Sequence, residues 1–232
     1  MDGILNLDKP MSISSQAAVT RVKKALAVKK AGHAGTLDPE ATGVLLVCMG
    51  KATKLFEPLQ THEKEYLAEL TLGVETDSHD ASGQITAERE VPTLNEADIE
   101  RALAPFRGVI QQTPPMFSAL KHKGRPLYAY AREGITIERK PREVKVSALE
   151  PLDCQPPTLK IRCVCSRGAY IRVLAHDIGR KLGCGAHIKA LRRTRIGPYR
   201  VEDAVSLEAL ESNPAAAVQR IVPLETARRA AS

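Results

Sequence analysis

The 232-residue chain alternates between two hydrophobic periods, and each change of period marks an element. Gly3 to Asp8, GILNLD, opens as a short strand. Ser14 and Ser15 then offer a hydroxyl cap, and Ala18, Val22, Ala25 and Lys29 fall on one side of a helix whose end Gly32 signals. GVLLVCMG, from Gly43 to Gly50, is a continuous apolar run of strand length, a pattern that a buried helical turn shares. Tyr66, Ala68, Leu70 and Leu72 alternate with Leu67, Glu69 and Thr71, so Tyr66 starts a strand. TLNEADIERALAPFRG reads as a capped helix with Ile99, Leu103 and Phe106 inward, and LYAYARE as a shorter helix ended by Gly134. PREVKVSALEPL and TLKIRCVC return to alternation, and GAYIRVLAHDIGRKLG to helical spacing through Ile171, Leu174, Ile178 and Leu182. RRTRIGPYRV is extended, and SLEALE begins a last helix. Strands and helices in mixed order, many strands hairpin-like, predict an α+β fold on a largely antiparallel sheet flanked by helices. No repeat or low-complexity linker divides the chain, which reads as one domain over 1–232.

Composition narrows the class. With 43% hydrophobic and 26% charged residues and a mean hydropathy of -0.21, the chain has the make-up of a soluble globular protein. No apolar run approaches the ~20 residues of a membrane span. The start MDGILNLDKP lacks the basic and apolar regions of a secretory leader, so a cytoplasmic protein is expected, with no membrane partner. Cys48, Cys154, Cys163, Cys165 and Cys184 are scattered and include no CxxC pair, which argues for reduced thiols and against a zinc site. Cys163 and Cys165 lie two apart on one face of a strand and are expected to pack in the core. The histidines show no paired ligand spacing, and no metal is expected. Phosphate loops, dinucleotide fingerprints and hydrolase elbows are missing too. TDSHDASG, from Thr76 to Gly83, lacks EF-hand spacing and reads as a polar turn.

Charge points to a partner. The net charge is +7, and between Lys160 and Arg200 eleven Lys or Arg residues face one acid, Asp177. VTRVKKALAVKK, from Val19 to Lys30, is a second basic stretch. Two such patches suggest nucleic acid, although solvated helix faces carry similar runs. Aromatics make up 3% of the chain, which favours a folded RNA read through shape and phosphates over a single strand gripped by stacking.

One loop carries candidate chemistry. GHAGTLDPEATG, from Gly32 to Gly43, sets Asp38 between glycines and before Pro39. Asp followed by Pro is the pattern of a helix start, with the carboxylate as cap. Equally, glycines let a backbone pass close to a substrate while a loop projects a catalytic carboxylate. Spacing alone does not choose between the two.

That loop, with LDKPMSISS, KEYLAELTLGVETDSHDASG, MFSALKHKGRPLYAYAREG and CSRGAYIRVLAHDIGRKLGCGAHIKALRRTRIG, resembles the TruB family, the bacterial tRNA pseudouridine synthases that isomerise uridine 55 of the T loop. The likeness runs from Gly3 to about Leu224 in five ordered blocks. It implies a mixed sheet flanked by helices with an active cleft across it, a tRNA T stem-loop partner, no cofactor and a monomer. Asp38 matches the essential aspartate, which attacks ribose C1' or base C6, or promotes a glycal-like intermediate. Arg172 matches an arginine whose fork pairs with that aspartate and keeps it charged. Tyr66 matches a tyrosine against the target base, and Tyr170 and Leu191 shape the uracil pocket. His33 matches a histidine associated with the opened T loop, where it fills the stack vacated by a flipped base. Lys9, Arg192 and Arg193 are assigned to phosphate contact or positioning. Ala34, Gln16 and Ala169 depart from the family's usual Thr, Asn and Thr, which bears on packing more than on chemistry. Many relatives continue into a small RNA-binding, PUA-like domain that is not expected here. A tRNA-folding chaperone that binds and opens the T arm without chemistry is the alternative.

Overall fold

The strand Gly3–Lys9 is buried along almost its whole length because both of its faces are covered: Leu5 and Leu7 join one core cluster, Ile4 another. Ala41–Met49 is covered in the same way, Leu45, Val47 and Met49 on one side and Val44, Leu46 and Cys48 on the other. A strand with two buried faces has no polar side to alternate with, which is why this run is continuously apolar. The two strands pair antiparallel, from Gly3 against Met49 to Lys9 against Gly43. The computed structural model describes residues 1–230. They form two compact units, residues 1–67 with 191–230, and Ala68–Ala190.

In the first unit the strand order is Val205–Ser206, Gly3–Lys9, Ala41–Met49, then the Leu191–Ile196 part of strand Ala186–Ile196. Leu191, Arg192 and Arg193 run parallel to Ala41, Thr42 and Gly43, and Leu7 is parallel to Val205. Helix Ser15–Ala25 packs Ala18, Val19 and Val22 onto the first core cluster, and the Ser14 hydroxyl caps it by accepting from the Ala17 amide. The helix stops well short of Gly32, leaving Lys29 outside, because Ala27 turns the backbone into the left-handed region at φ 51°. Gly32 serves close packing instead: it sits in strand Ala31–His33, where a Cβ would lie 2.6 Å from the Phe56 ring. The strand expected from Tyr66 begins earlier, at Lys64, whose ammonium turns back onto the Gln60 and His62 carbonyls at 2.7 and 2.6 Å.

The second unit is an antiparallel meander of Thr158–Cys165, Arg142–Gln155 and Gly108–Gln112, with the Ala68–Leu72 part of Lys64–Leu72 beside Thr158–Cys165. Cys163 and Cys165 are buried in it, as their spacing predicts. Helix Glu96–Leu103 starts on a reciprocal capping box between Asn95 and Asp98, whereas Phe106 lies beyond it in a 3-10 turn, half-buried. Ile171–Lys181 is helical with Ile171, Leu174 and Ile178 inward. SLEALE does form a helix, Leu207–Ser212, but Pro214–Gln219 and Leu224–Ala230 follow it. These are short and rich in alanine, which gives them little periodicity to read. The fold class is α+β with mixed, largely antiparallel sheet, as expected. No helix among the described residues is long and apolar enough to cross a membrane.

Gly43 has φ +102°, and a Cβ there would lie 2.1 Å from the Arg193 carbonyl oxygen across the parallel pairing. Gly43→Ala is therefore expected to cost on the order of 3 kcal/mol, combining left-handed strain with overlap of main chain. Urea unfolding at an unchanged m-value checks it, and a midpoint equal to that of wild type would contradict it.

Candidate active site

The loop Gly32–Gly43 does not lead into a helix. Pro39 and Glu40 form a tight turn closed by the Ala41 amide on the Asp38 carbonyl, at 3.1 Å, and strand Ala41–Met49 follows directly. The helix-start reading of Asp-Pro therefore fails, and Asp38 stands half-buried immediately before the turn.

The main-chain carbonyls of Gly35, Thr36, Leu37 and Pro39 are each met by a donor from outside the loop. Arg193, 1% exposed, donates to the carbonyls of Gly35 at 3.1 Å, Thr36 at 3.3 Å and Val44 at 2.8 Å. Lys9, fully buried, donates to Pro39 at 3.0 Å, Pro10 at 2.7 Å and Ile13 at 2.9 Å. Ser12 adds its amide to Pro39 at 3.0 Å. The Ser15 hydroxyl, also buried, accepts from the Leu37 amide at 2.8 Å and donates to the Leu37 carbonyl at 2.9 Å. Burial of a charge is costly unless its donors are occupied, and here carbonyl dipoles occupy them. Desolvation pushes the Lys9 ammonium down to about 8, against the pull of Glu40 and Asp38 and with a push from Arg193.

Of the two roles expected of Lys9 and Arg193, phosphate contact or positioning, their burial fits positioning, since both hold the loop through its carbonyls. Arg192 remains on the surface, its side chain 41% exposed, but its fork is engaged by Asp8 at 2.7 and 3.2 Å and by the Thr42 hydroxyl at 3.3 Å. It borders a groove of about 550 Å³ that also contains the Arg21–Glu211 ion pair, so both signs are represented there. Part of the basic stretch from Lys160 to Arg200 is engaged by acids brought from elsewhere in the chain, Arg162 by Glu150, Lys189 by Glu69 and Arg195 by Glu65, while Arg167, Arg180, Lys181 and Arg200 are exposed.

Three more expected residues lie in the first unit. Leu191 is 8% exposed and pairs with Ala41 at the loop's exit. Tyr66 is buried on strand Lys64–Leu72. His33 closes strand Ala31–His33 opposite Val47, half-buried, with Nδ1 lacking a hydrogen-bond partner among the described residues. Burial first, and the Arg193 charge second, lower its pKa and keep the imidazole neutral at physiological pH.

Tyr170 and Arg172 lie in the second unit, at the head of helix Ile171–Lys181. Arg172 is 4% exposed and donates to the Ser78 carbonyl at 2.7 Å and the Phe117 carbonyl at 2.8 Å, with Asp80 at 3.6 Å from its Nε. Asp80 also accepts from the hydroxyls of Ser78 and Ser82 at 2.7 and 2.6 Å. Gln112 pairs with both main-chain groups of Tyr170, accepting from its amide at 2.7 Å and donating to its carbonyl at 3.0 Å. Ser15, Asp80 and Gln112 were not singled out from the sequence, where Ser15 reads as a helix cap and Asp80 as part of a polar turn. Their roles rest on long-range partners that no local pattern encodes. No group of three or more His, Cys, Asp or Glu side chains among the described residues is placed to hold a metal ion.

An α+β fold with an aspartate on a loop pinned beneath by buried cations defines a class that comparison makes specific. Residues 23–171 match the profile described as TruB family pseudouridylate synthase (N terminal domain), and residues 172–227 that of the tRNA pseudouridylate synthase B C-terminal domain. The chain belongs to the TruB family of pseudouridylate synthases. It is 50% identical over 214 residues to tRNA pseudouridine synthase B of Bordetella avium, covering 91% of this chain and 88% of that protein. With the protein of the same name from Chromohalobacter salexigens it shares 48% over 227 residues, covering 97% and 74%. Among solved structures it resembles a chain of a Cbf5-Nop10-Gar1 complex, with a TM-score of 0.77 and 33% identity, and one of an H/ACA RNP bound to a substrate RNA containing 2'-deoxyuridine, with 0.74 and 30%. Each covers 98% of this chain, which spans 62% and 61% of those chains.

The buried ammonium of Lys9 yields a pH-dependent prediction. Its pKa in the fold, about 8, lies below the ordinary 10.5, so between those values the unfolded chain holds more protons and the stability contributed by this group rises with pH. The unfolding free energy of wild type, relative to Lys9→Met, is expected to increase from pH 8 to pH 10, measured by urea titration. A flat or falling difference would contradict it.

Proposed function

We propose that this chain isomerises uridine to pseudouridine at position 55 in the T loop of tRNA, with Asp38 as the catalytic carboxylate. The reaction breaks the bond from ribose C1' to base N1, rotates the base and joins C1' to C5; the C5 proton is lost and N1 gains one, with no net oxidation and no cofactor. A uridine inside a folded loop must first be rotated out, at a cost of a few kcal/mol. His33, as a neutral imidazole, is assigned to the space the base leaves. Tyr66, Tyr170 and Leu191 are assigned to the uracil ring, and Tyr66 also to removal of the C5 proton. Arg172 is assigned to substrate binding. Exposed Lys24, Lys29 and Lys30 and the partly engaged Arg192 supply positive charge for phosphates.

The observation that carries this reading is the pinned loop. A catalytic group has to be held close to its productive position, and this carboxylate sits on backbone whose carbonyls are occupied from Gly35 to Pro39. The tRNA substrate is supported by the names of the curated relatives, and an RNA substrate by the solved neighbour bound to one.

Asp38→Asn is expected to abolish tritium release from a T-arm hairpin carrying 5-tritiated uridine while its Kd for that hairpin stays within about twofold. Release at the wild-type rate would remove Asp38 from the chemistry, whereas a chaperone that only opens the arm would bind the hairpin and release no tritium even as wild type. The Kd itself should weaken as salt rises, because phosphate contacts release counterions; an unchanged Kd between 50 and 200 mM salt would contradict an RNA-backbone footprint.

A further inference from the structure

Ser14 and Ser15 are adjacent and chemically identical, and the fold gives them different tasks. Ser14 lies in extended backbone at φ -71°, ψ 154°, and its hydroxyl accepts from the Ala17 amide at 3.0 Å, which is the ordinary work of a helix cap. Ser15 is the first residue of helix Ser15–Ala25 and is 2% exposed. Its hydroxyl leaves the helix altogether and closes on one distant residue, accepting from the Leu37 amide at 2.8 Å and donating to the Leu37 carbonyl at 2.9 Å.

A single hydroxyl that engages both polar groups of one residue restrains that residue's φ and ψ together. Leu37 is also anchored by its side chain, which is 3% exposed. The residue directly after it is Asp38. Arg193 holds the carbonyls before this point, Lys9 that of Pro39 and the Ala41 amide that of Asp38 itself, so Ser15 is the restraint that holds both main-chain groups of the residue preceding the carboxylate.

Resting on the catalytic reading of Asp38, we propose that Ser15 is a positioning residue for the isomerisation: it aims the Asp38 carboxylate by clamping both main-chain groups of Leu37. Ser15 touches neither base nor ribose in this account, and its effect passes through one peptide. Removing the hydroxyl leaves a buried amide and a buried carbonyl without partners, and the loop relaxes toward other φ/ψ values to satisfy them. Misplacement of a reacting group by about 1 Å can reduce rate on the order of 100-fold.

The adjacent serine provides the control. Three variants of the full chain are compared with wild type on a T-arm hairpin: Ser15→Ala, Ser15→Thr, which keeps the hydroxyl, and Ser14→Ala, which removes the helix cap and leaves the clamp. Measured for each are the single-turnover rate of tritium release at saturating protein, the hairpin Kd and the thermal midpoint. Ser15→Ala is expected to lose roughly 10- to 100-fold in the single-turnover rate with Kd within about twofold of wild type. Ser15→Thr should recover most of that loss, and Ser14→Ala should lower the thermal midpoint while keeping the rate within about twofold. A rate for Ser15→Ala within twofold of wild type would overturn the inference. So would a loss in Ser14→Ala that tracks its fall in midpoint, since rate would then follow helix stability. Should Ser15→Ala not fold, Ser15→Thr decides, a rate well below wild type with an intact midpoint counting against the clamp. Wild-type protein that releases no tritium would instead overturn the proposed function, and this inference with it.

Discussion

The carbonyl groups of Gly35, Thr36, Leu37 and Pro39 are the constraint on which the rest of the molecule turns. An extended loop cannot satisfy its own main chain as a helix does, and unsatisfied carbonyls at partly buried positions are costly. Here the donors come from three directions: a guanidinium from strand Ala186–Ile196, an ammonium from the end of strand Gly3–Lys9, and a hydroxyl from the first turn of helix Ser15–Ala25. Each donor belongs to an element that is itself packed in a core, so the loop takes its rigidity from the sheet and helix beneath it.

Two otherwise odd features follow. Buried lysine and arginine are expensive in a small unit, and Lys9 and Arg193 are accepted because carbonyl oxygens meet their donors. Gly43 is required because Arg193 can enter beneath the loop only where its own strand runs parallel and close to Ala41–Gly43. Charge, glycine and strand pairing thus serve one geometric end, the presentation of Asp38. The second unit repeats the device at Tyr170, where Gln112 occupies both main-chain groups of the residue preceding helix Ile171–Lys181.

Much of this was legible in the sequence and some was not. The period-2 run through Leu70 and Leu72 and the helical spacing through Ile171, Leu174 and Ile178 became the elements they predict, since each buries one face. GVLLVCMG was ambiguous because a strand buried on both faces carries no alternation, and only the two core clusters around it resolve the question. The end of the first helix was misplaced from Gly32, since the left-handed turn there is made by Ala27, a residue with no preference for it. The loop stood out through its glycines, yet spacing could not say whether Asp38 capped a helix. For Lys9 and Arg193 phosphate contact and positioning both stayed open, because sequence shows charge without burial. Ser15 and Gln112 were overlooked for the converse reason, that their partners lie far along the chain.

Amide hydrogen exchange at Ala34, Leu37 and Ala41 tests the central claim most directly, because these amides donate to Leu46, Ser15 and Asp38 within the loop's network. If the loop is held as described, all three exchange with protection comparable to the amides of strand Ala41–Met49, reporting sub-global or global opening. Exchange at the rates of an unprotected loop, with the strand still protected, would mean that the carboxylate rides on mobile backbone, and the account would fail.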